Sequence, residues 1–130
     1  MRAVVIPGFH HEPELADVPA PQPGADEVLV RLEAAGMNPF DWKVIDGALR
    51  GSVDHRFPLV LGSDGAGEVV ETGGDVTRLS VGDRVYGQFL RVSVGAGSFA
   101  DYATKAATKL ARLPDEVPYD VAAALPTSGV

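Results

Sequence analysis

Hydrophobic and polar positions alternate most regularly in "DEVLVRLEAAGM" (26–37). Val28, Val30, Leu32 and Ala34 fall on one side, Arg31 and Glu33 on the other. A period of two with β-branched residues predicts a half-buried strand. "RAVVI" (2–6) predicts a second, shorter one. Between them, "PGFHHEPELADVPAPQPG" (7–24) carries Pro7, Pro13, Pro19, Pro21 and Pro23. Proline locks φ and lacks an N–H donor, so this stretch is neither a helix nor a central strand. It predicts extended chain wrapping the surface.

The period changes at "GMNPFDWKVIDG" (36–47). Asn38 suits an N-cap and Pro39 the first helical position. Asp41 sits where a capping box places its acid. Phe40 and Val44 share one face, and Gly47 can end the helix in a left-handed conformation. "FPLVLGSDGAGEVVETGGDVTRLSVGDRVYGQF" (57–89) predicts two strands, one marked by Val69 and Val70, the other running from Val85 to Phe89. "TGGD" and "SVGD" spell turns. "GSFADYATK" (97–105) and "TKLARLP" (108–114) predict further short strands, and "PYDVAAALPTSGV" (118–130) begins as a helix. About six strands and one short internal helix, closely punctuated by turns, predict a mainly antiparallel barrel or sandwich.

Composition narrows the function classes. The chain has 130 residues, enough for one domain with a real core, and is 45% hydrophobic and 22% charged. Its formal net charge is -7, which repels phosphate backbones and anionic lipid and argues against nucleic acid and membrane partners. It has no cysteine, so disulfides, zinc–thiolate sites, iron–sulfur clusters and a thiol nucleophile are excluded. No apolar run approaches the ~20 residues of a membrane span, and the N-terminus lacks the pattern of a signal peptide. The expectation is a soluble cytoplasmic protein.

The candidate chemistry is sparse. His10 and His11 are neighbours beside a Pro-rich turn and read as solvated loop residues rather than ligands. "GAGSFA" (95–100) and "GSDGAG" (62–67) precede strands, without the strand–turn–helix context that lets glycines seat a pyrophosphate. No serine lies in a GxSxG elbow. Asn38, Phe40, Trp42 and Lys43 remain. Asn38 reads as a helix cap or as an amide offered to a ligand. Phe40, Trp42 and Phe57 read as a flat apolar pocket or as core. From the residues alone, both alternatives stay open.

In order, "AAGMNPFDWKVIDG", "FPLVLGSDGAGEVVETGGDVTRLSVGDRVYG", "GSFADYATKA" and "LPDEVPYDVAAALPTSGV" resemble the N-terminal half of a medium-chain dehydrogenase/reductase, of the zinc-independent NADPH:quinone oxidoreductase type. The resemblance covers essentially the whole chain. It implies a mainly β fold: a GroES-like, partly open β-barrel with short helices over residues 1–120. Residues 121–130 would begin the connection to a Rossmann domain that the chain lacks. The 130 residues would then be a fragment or excised domain, inactive or nearly so alone.

The departures from zinc-dependent alcohol dehydrogenases set the expected chemistry. Asn38 stands where they hold a ligand cysteine, and Gly62-Ser63-Asp64 replaces their Gly-His-Glu. Phe40 replaces a proton-relay Ser or Thr. The third ligand would fall near Ala123 to Thr127, which offers no Cys, His or carboxylate. The resemblance therefore implies no metal. Without a Lewis acid, an already electrophilic acceptor, a quinone or an α,β-unsaturated carbonyl, is the fitting small-molecule substrate.

The resemblance also assigns roles. Asn38 and Lys43 are the catalytic candidates, and Asn38, Phe40 and Thr127 would touch NADPH, held mainly by the missing domain. Phe40, Trp42 and Phe57 would line the substrate pocket, and Asp41 and Asp64 would brace the site. Two other functions remain open: a non-catalytic GroES-like binding or structural module, and an enoyl-reductase piece of a larger synthase. Uncovering the face toward the missing domain predicts self-association into a homo-oligomer.

Overall fold

A computed structural model describes residues 1–47, 51 and 54–124, with the side chain of Phe40 excepted. Its strands are β1 (Arg2–Ile6), β2 (Glu14–Asp17), β3 (Glu27–Ala35), β4 (Leu59–Val60), β5 (Asp64–Thr72), β6 (Arg84–Gln88), β7 (Tyr102–Ala106) and β8 (Ala111–Arg112). The helices are α1 (Pro39–Ile45) and α2 (Tyr119–Ala123). Strands β2-β1-β4 form one sheet and β7-β3-β5-β6-β8 a second. Every strand pair is antiparallel. The sheets meet where Val4 N–H donates to the Phe99 carbonyl at 2.8 Å and Ala3 bridges Ala100.

The mainly β, antiparallel expectation holds, with two strands more than the hydrophobic pattern foretells. One is β2, inside the Pro-rich stretch. It lies at a sheet edge, between Pro13 and Pro19, where a missing donor costs no ladder bond. The other is β4, too short to show a period. In "GSFADYATK" the strand proper starts at Tyr102. The residues before it pair singly instead, with Phe99 N–H bonded to the Leu61 carbonyl.

The main core lies on one face of the five-stranded sheet, where Val28, Val30, Val69, Leu79, Val85, Phe89 and Leu110 pack together. The alternation in β3 is kept, with Val28 and Val30 buried and Arg31 and Glu33 exposed. A second cluster, with Ile6, Leu59 and Leu61, receives Val44 and Ile45 and so anchors α1. A third joins Ala122 and Ala123 of α2 to Ala66 of β5. Helix α1 ends at Gly47, which takes a φ of 85 and donates to the Val44 carbonyl.

Candidate functional site

The site begins with strand register. Strands β3 and β5 pair Ala35 with Gly65, so the residues just past the end of β3 face those just before Gly65. Gly36 N–H accordingly donates to the Asp64 carbonyl at 3.0 Å. Two residues on, the chain turns into α1 at Asn38, whose φ of -137 and ψ of 155 are the extended values of an N-cap. Its amide Nδ2 donates to Asp64 Oδ2 at 2.8 Å. The partners are 26 residues apart in sequence.

Asp41 completes the cluster. Its carboxylate accepts the Asn38 backbone N–H at 2.8 Å, and the two residues form a capping box. All three side chains are shielded: Asn38 is 9%, Asp41 7% and Asp64 0% exposed. The second Asp41 oxygen, Oδ1, is buried with no hydrogen-bond partner among the described residues. Burial raises the Asp41 pKa above its ordinary value, and the negative charge of Asp64 raises it further. The backbone N–H groups of Asn38 and Ser63 pull the other way.

The wall behind Asn38 is set by a close approach. A Cβ on Gly36 would stand 2.4 Å from the Ala123 carbonyl oxygen and 3.3 Å from Asp64 Cβ. Only a residue without a side chain lets α2 come this near. The exposed apolar side chains Met37, Trp42 and Val121 belong to these same segments.

The candidate residues do not all converge. Asn38, Asp41 and Asp64 come together. Lys43 and Trp42 are exposed on α1. Phe57 packs instead against the cluster that holds Val44 and Ile45, with Phe9 at 5.2 Å between ring centroids and His55 at 6.2 Å. Trp42 makes no ring contact with it among the described residues. The side chain of Phe40 and all of Thr127 lie outside the described residues. A groove of about 470 Å³ lies elsewhere: Phe57, Glu27, Arg91 and Thr104 line it, and Asn38, Asp41 and Asp64 do not.

Sequence reasoning missed the Asn38–Asp64 bond and the role of Gly36. A signal for the first was present. Asp64 is the only charged residue from Phe57 to Gly67, and a lone acid in so apolar a run needs a specific partner.

The described residues hold no cluster of three or more His, Cys, Asp or Glu able to bind a metal ion. Nor do they include a helix long and apolar enough to cross a membrane.

Residues 24–115 match the alcohol dehydrogenase GroES-like domain family. The chain is 38% identical over 117 residues to the chloroplast envelope quinone oxidoreductase homolog of Arabidopsis thaliana, covering 90% of this chain and 35% of that protein. It is 38% identical over 111 residues to the enoyl reductase component of lovastatin nonaketide synthase from Aspergillus terreus, covering 83% of this chain and 29% of that one. The structure of the quinone oxidoreductase from Coxiella burnetii superposes with a TM-score of 0.87 at 28% identity, over 99% of this chain and 42% of that chain. The chain thus spans about a third of the length of the curated relatives it matches. With the family match extending over most of its residues and the fold agreeing, the chain belongs to the alcohol dehydrogenase GroES-like domain family.

Proposed function

We propose that this chain is the substrate-side domain of an NADPH-dependent, zinc-independent oxidoreductase that reduces quinones or α,β-unsaturated carbonyls. The observation that carries the reading is the buried Asn38 amide, bonded to Asp64 at 2.8 Å at the start of α1. The positions that resemble those of zinc ligands hold an amide and a hydroxyl, Asn38 and Ser63. A neutral amide ligates only through its oxygen and weakly, as does a neutral hydroxyl, whereas zinc sites draw on thiolate, imidazole and carboxylate. The donor set therefore supports chemistry without a Lewis acid. It favours acceptors whose conjugation already spreads the developing negative charge.

The described sheets are antiparallel throughout, so they contain no parallel βαβ unit to seat a pyrophosphate. A nicotinamide cofactor must take most of its contacts from a companion domain, and Asn38 is this chain's contribution. That cofactor supplies the hydride when bound. The chain's own part is to hold the acceptor against a wall edged by Met37 and Trp42, with the Asn38 amide fixed as a polar contact. A proton from solvent completes the hydroquinone or the saturated carbonyl. Lys43, exposed on the same helix, is the candidate cation beside that wall. An acidic, cysteine-free chain supports a cytoplasmic setting, although three relatives are named for the chloroplast.

The match to an enoyl reductase component supports a second reading, an acyl-tethered enone as substrate. Titration with NADPH tests the first. Residues 1–130 alone are expected to bind it weakly or not at all. The protein at the length of its relatives is expected to oxidise it with a small quinone, and to do so after dialysis against a chelator. Turnover lost to the chelator and restored by zinc would refute the metal-free scheme. Inactivity with every quinone and enone tried would favour a non-catalytic binding module.

A further inference from the structure

We infer that Asp64 is the positioning residue of this site, fixing which end of the Asn38 amide faces the protein interior. The inference rests on the proposed role of Asn38, and the experiment below separates the two.

An amide side chain has two nearly isosteric ends, an acceptor oxygen and a donor NH2, and rotation by half a turn exchanges them. Exposed in water, either orientation serves. Two contacts remove that freedom: the side chain accepts the Asp41 backbone N–H in the capping box, and its NH2 donates to Asp64. A carboxylate only accepts hydrogen bonds, so Asp64 Oδ2 at 2.8 Å requires the NH2 end. Reversal would set the amide oxygen against a carboxylate oxygen inside the protein. Asp64 is 0% exposed, so water cannot relieve that clash, and a weakly screened repulsion holds the orientation.

The backbone on both sides is also held. The Gly36 N–H donates to the Asp64 carbonyl, so the chain entering Asn38 is tied to the residue that grips its side chain. The Asn38 N–H donates to Asp41 at 2.8 Å. Asn38 is thus bound through its main chain by one carboxylate and through its side chain by another. A polar contact pre-set in this way costs no reorganisation when a ligand arrives. The arrangement also makes the amide specific. An aspartate at position 38 would set a second carboxylate against that of Asp64 in a buried site.

The test is a charge swap in the intact protein, measured for thermal stability, for turnover with NADPH and a small quinone, and by NMR for hydrogen exchange of the Asn38 side-chain NH2. Asn38→Asp alone should lower the melting temperature. Asp64→Ala should speed exchange of the Asn38 NH2 and lower turnover roughly tenfold or more, the scale of a misplaced contact group. The double variant Asn38→Asp/Asp64→Asn restores a donor–acceptor pair with its polarity reversed. It should recover most of the lost melting temperature and none of the lost turnover. A merely structural pair would recover both. Unchanged NH2 exchange in Asp64→Ala, or no recovery of stability in the swap, would overturn the inference. If exchange and stability behave as stated while turnover is unmoved in every variant, the amide is pinned as inferred. In that case it is the role given to Asn38 in the reaction that fails.

Discussion

Replacing Gly36 with alanine tests whether α2 truly closes against the turn that carries Asn38. The new Cβ would lie 2.4 Å from the Ala123 carbonyl oxygen, where ordinary contact begins near 3.4 Å. Relief requires about 1 Å of movement, and a backbone carbonyl in a packed helix cannot swing aside as a side-chain tip can. Ala122 and Ala123 are 0% and 1% exposed, so a retreat of α2 opens gaps in the cluster they share with Ala66 and Leu113. Overpacking of this kind costs about 1–3 kcal/mol. Alanine returns about 0.4–1 kcal/mol by restricting the unfolded chain. The net expectation is a loss of about 1–2 kcal/mol, or roughly 4–8 °C in melting temperature for a chain of this length. Gly74→Ala is the matched control, because a Cβ there meets nothing within 4 Å. It should leave the melting temperature unchanged or raise it by a few degrees. Far-UV circular dichroism of the two variants and the parent decides the matter. If Gly36→Ala melts with or above Gly74→Ala, the close approach of α2 is refuted.

Two carboxylates should give the pH dependence of stability opposite slopes. The raised pKa of Asp41 means the folded state keeps its proton longer, so stability falls as pH rises from the ordinary value of 3.8 through the folded one. Asp41→Asn should flatten that fall in urea titrations carried upward from the ordinary value of 3.8. Glu27 is lowered instead, chiefly by the Gly24 backbone N–H and then by Arg91, with burial opposing. Its contribution is present above its ordinary 4.5 and fades as pH falls through the folded value, so Glu27→Gln should lessen acid sensitivity. Equal slopes for variant and parent would refute either assignment. Trp42 and Met37 are 60% and 77% exposed, and residues 1–130 alone should self-associate through this region. Sedimentation should show it, weakened by Trp42→Ser, while a clean monomer at high concentration would contradict it.

Local physics made part of the structure legible in the sequence. Alternation in 26–37 required a strand with Val28 and Val30 inward, and the spelling from Asn38 to Gly47 required a capped, terminated helix, because both patterns follow from neighbours within a few residues. The family motifs were legible in the same linear way. Strands β2 and β4 were hidden, since a four-residue edge strand among prolines and a two-residue strand carry too few positions to show a period.

The site itself was decided by tertiary structure. The antiparallel register of β3 and β5 brings Asp64 to Asn38 across 26 residues, and no local rule reads that distance. The same holds for Gly36, whose need for a missing side chain appears only once α2 lies against it. Trp42 and Phe57 looked alike as aromatic candidates. Helix packing turned Trp42 to solvent, because a helix buries only the face its partners cover, while Phe57, in the bend before β4, packs against the cluster that holds Val44 and Ile45.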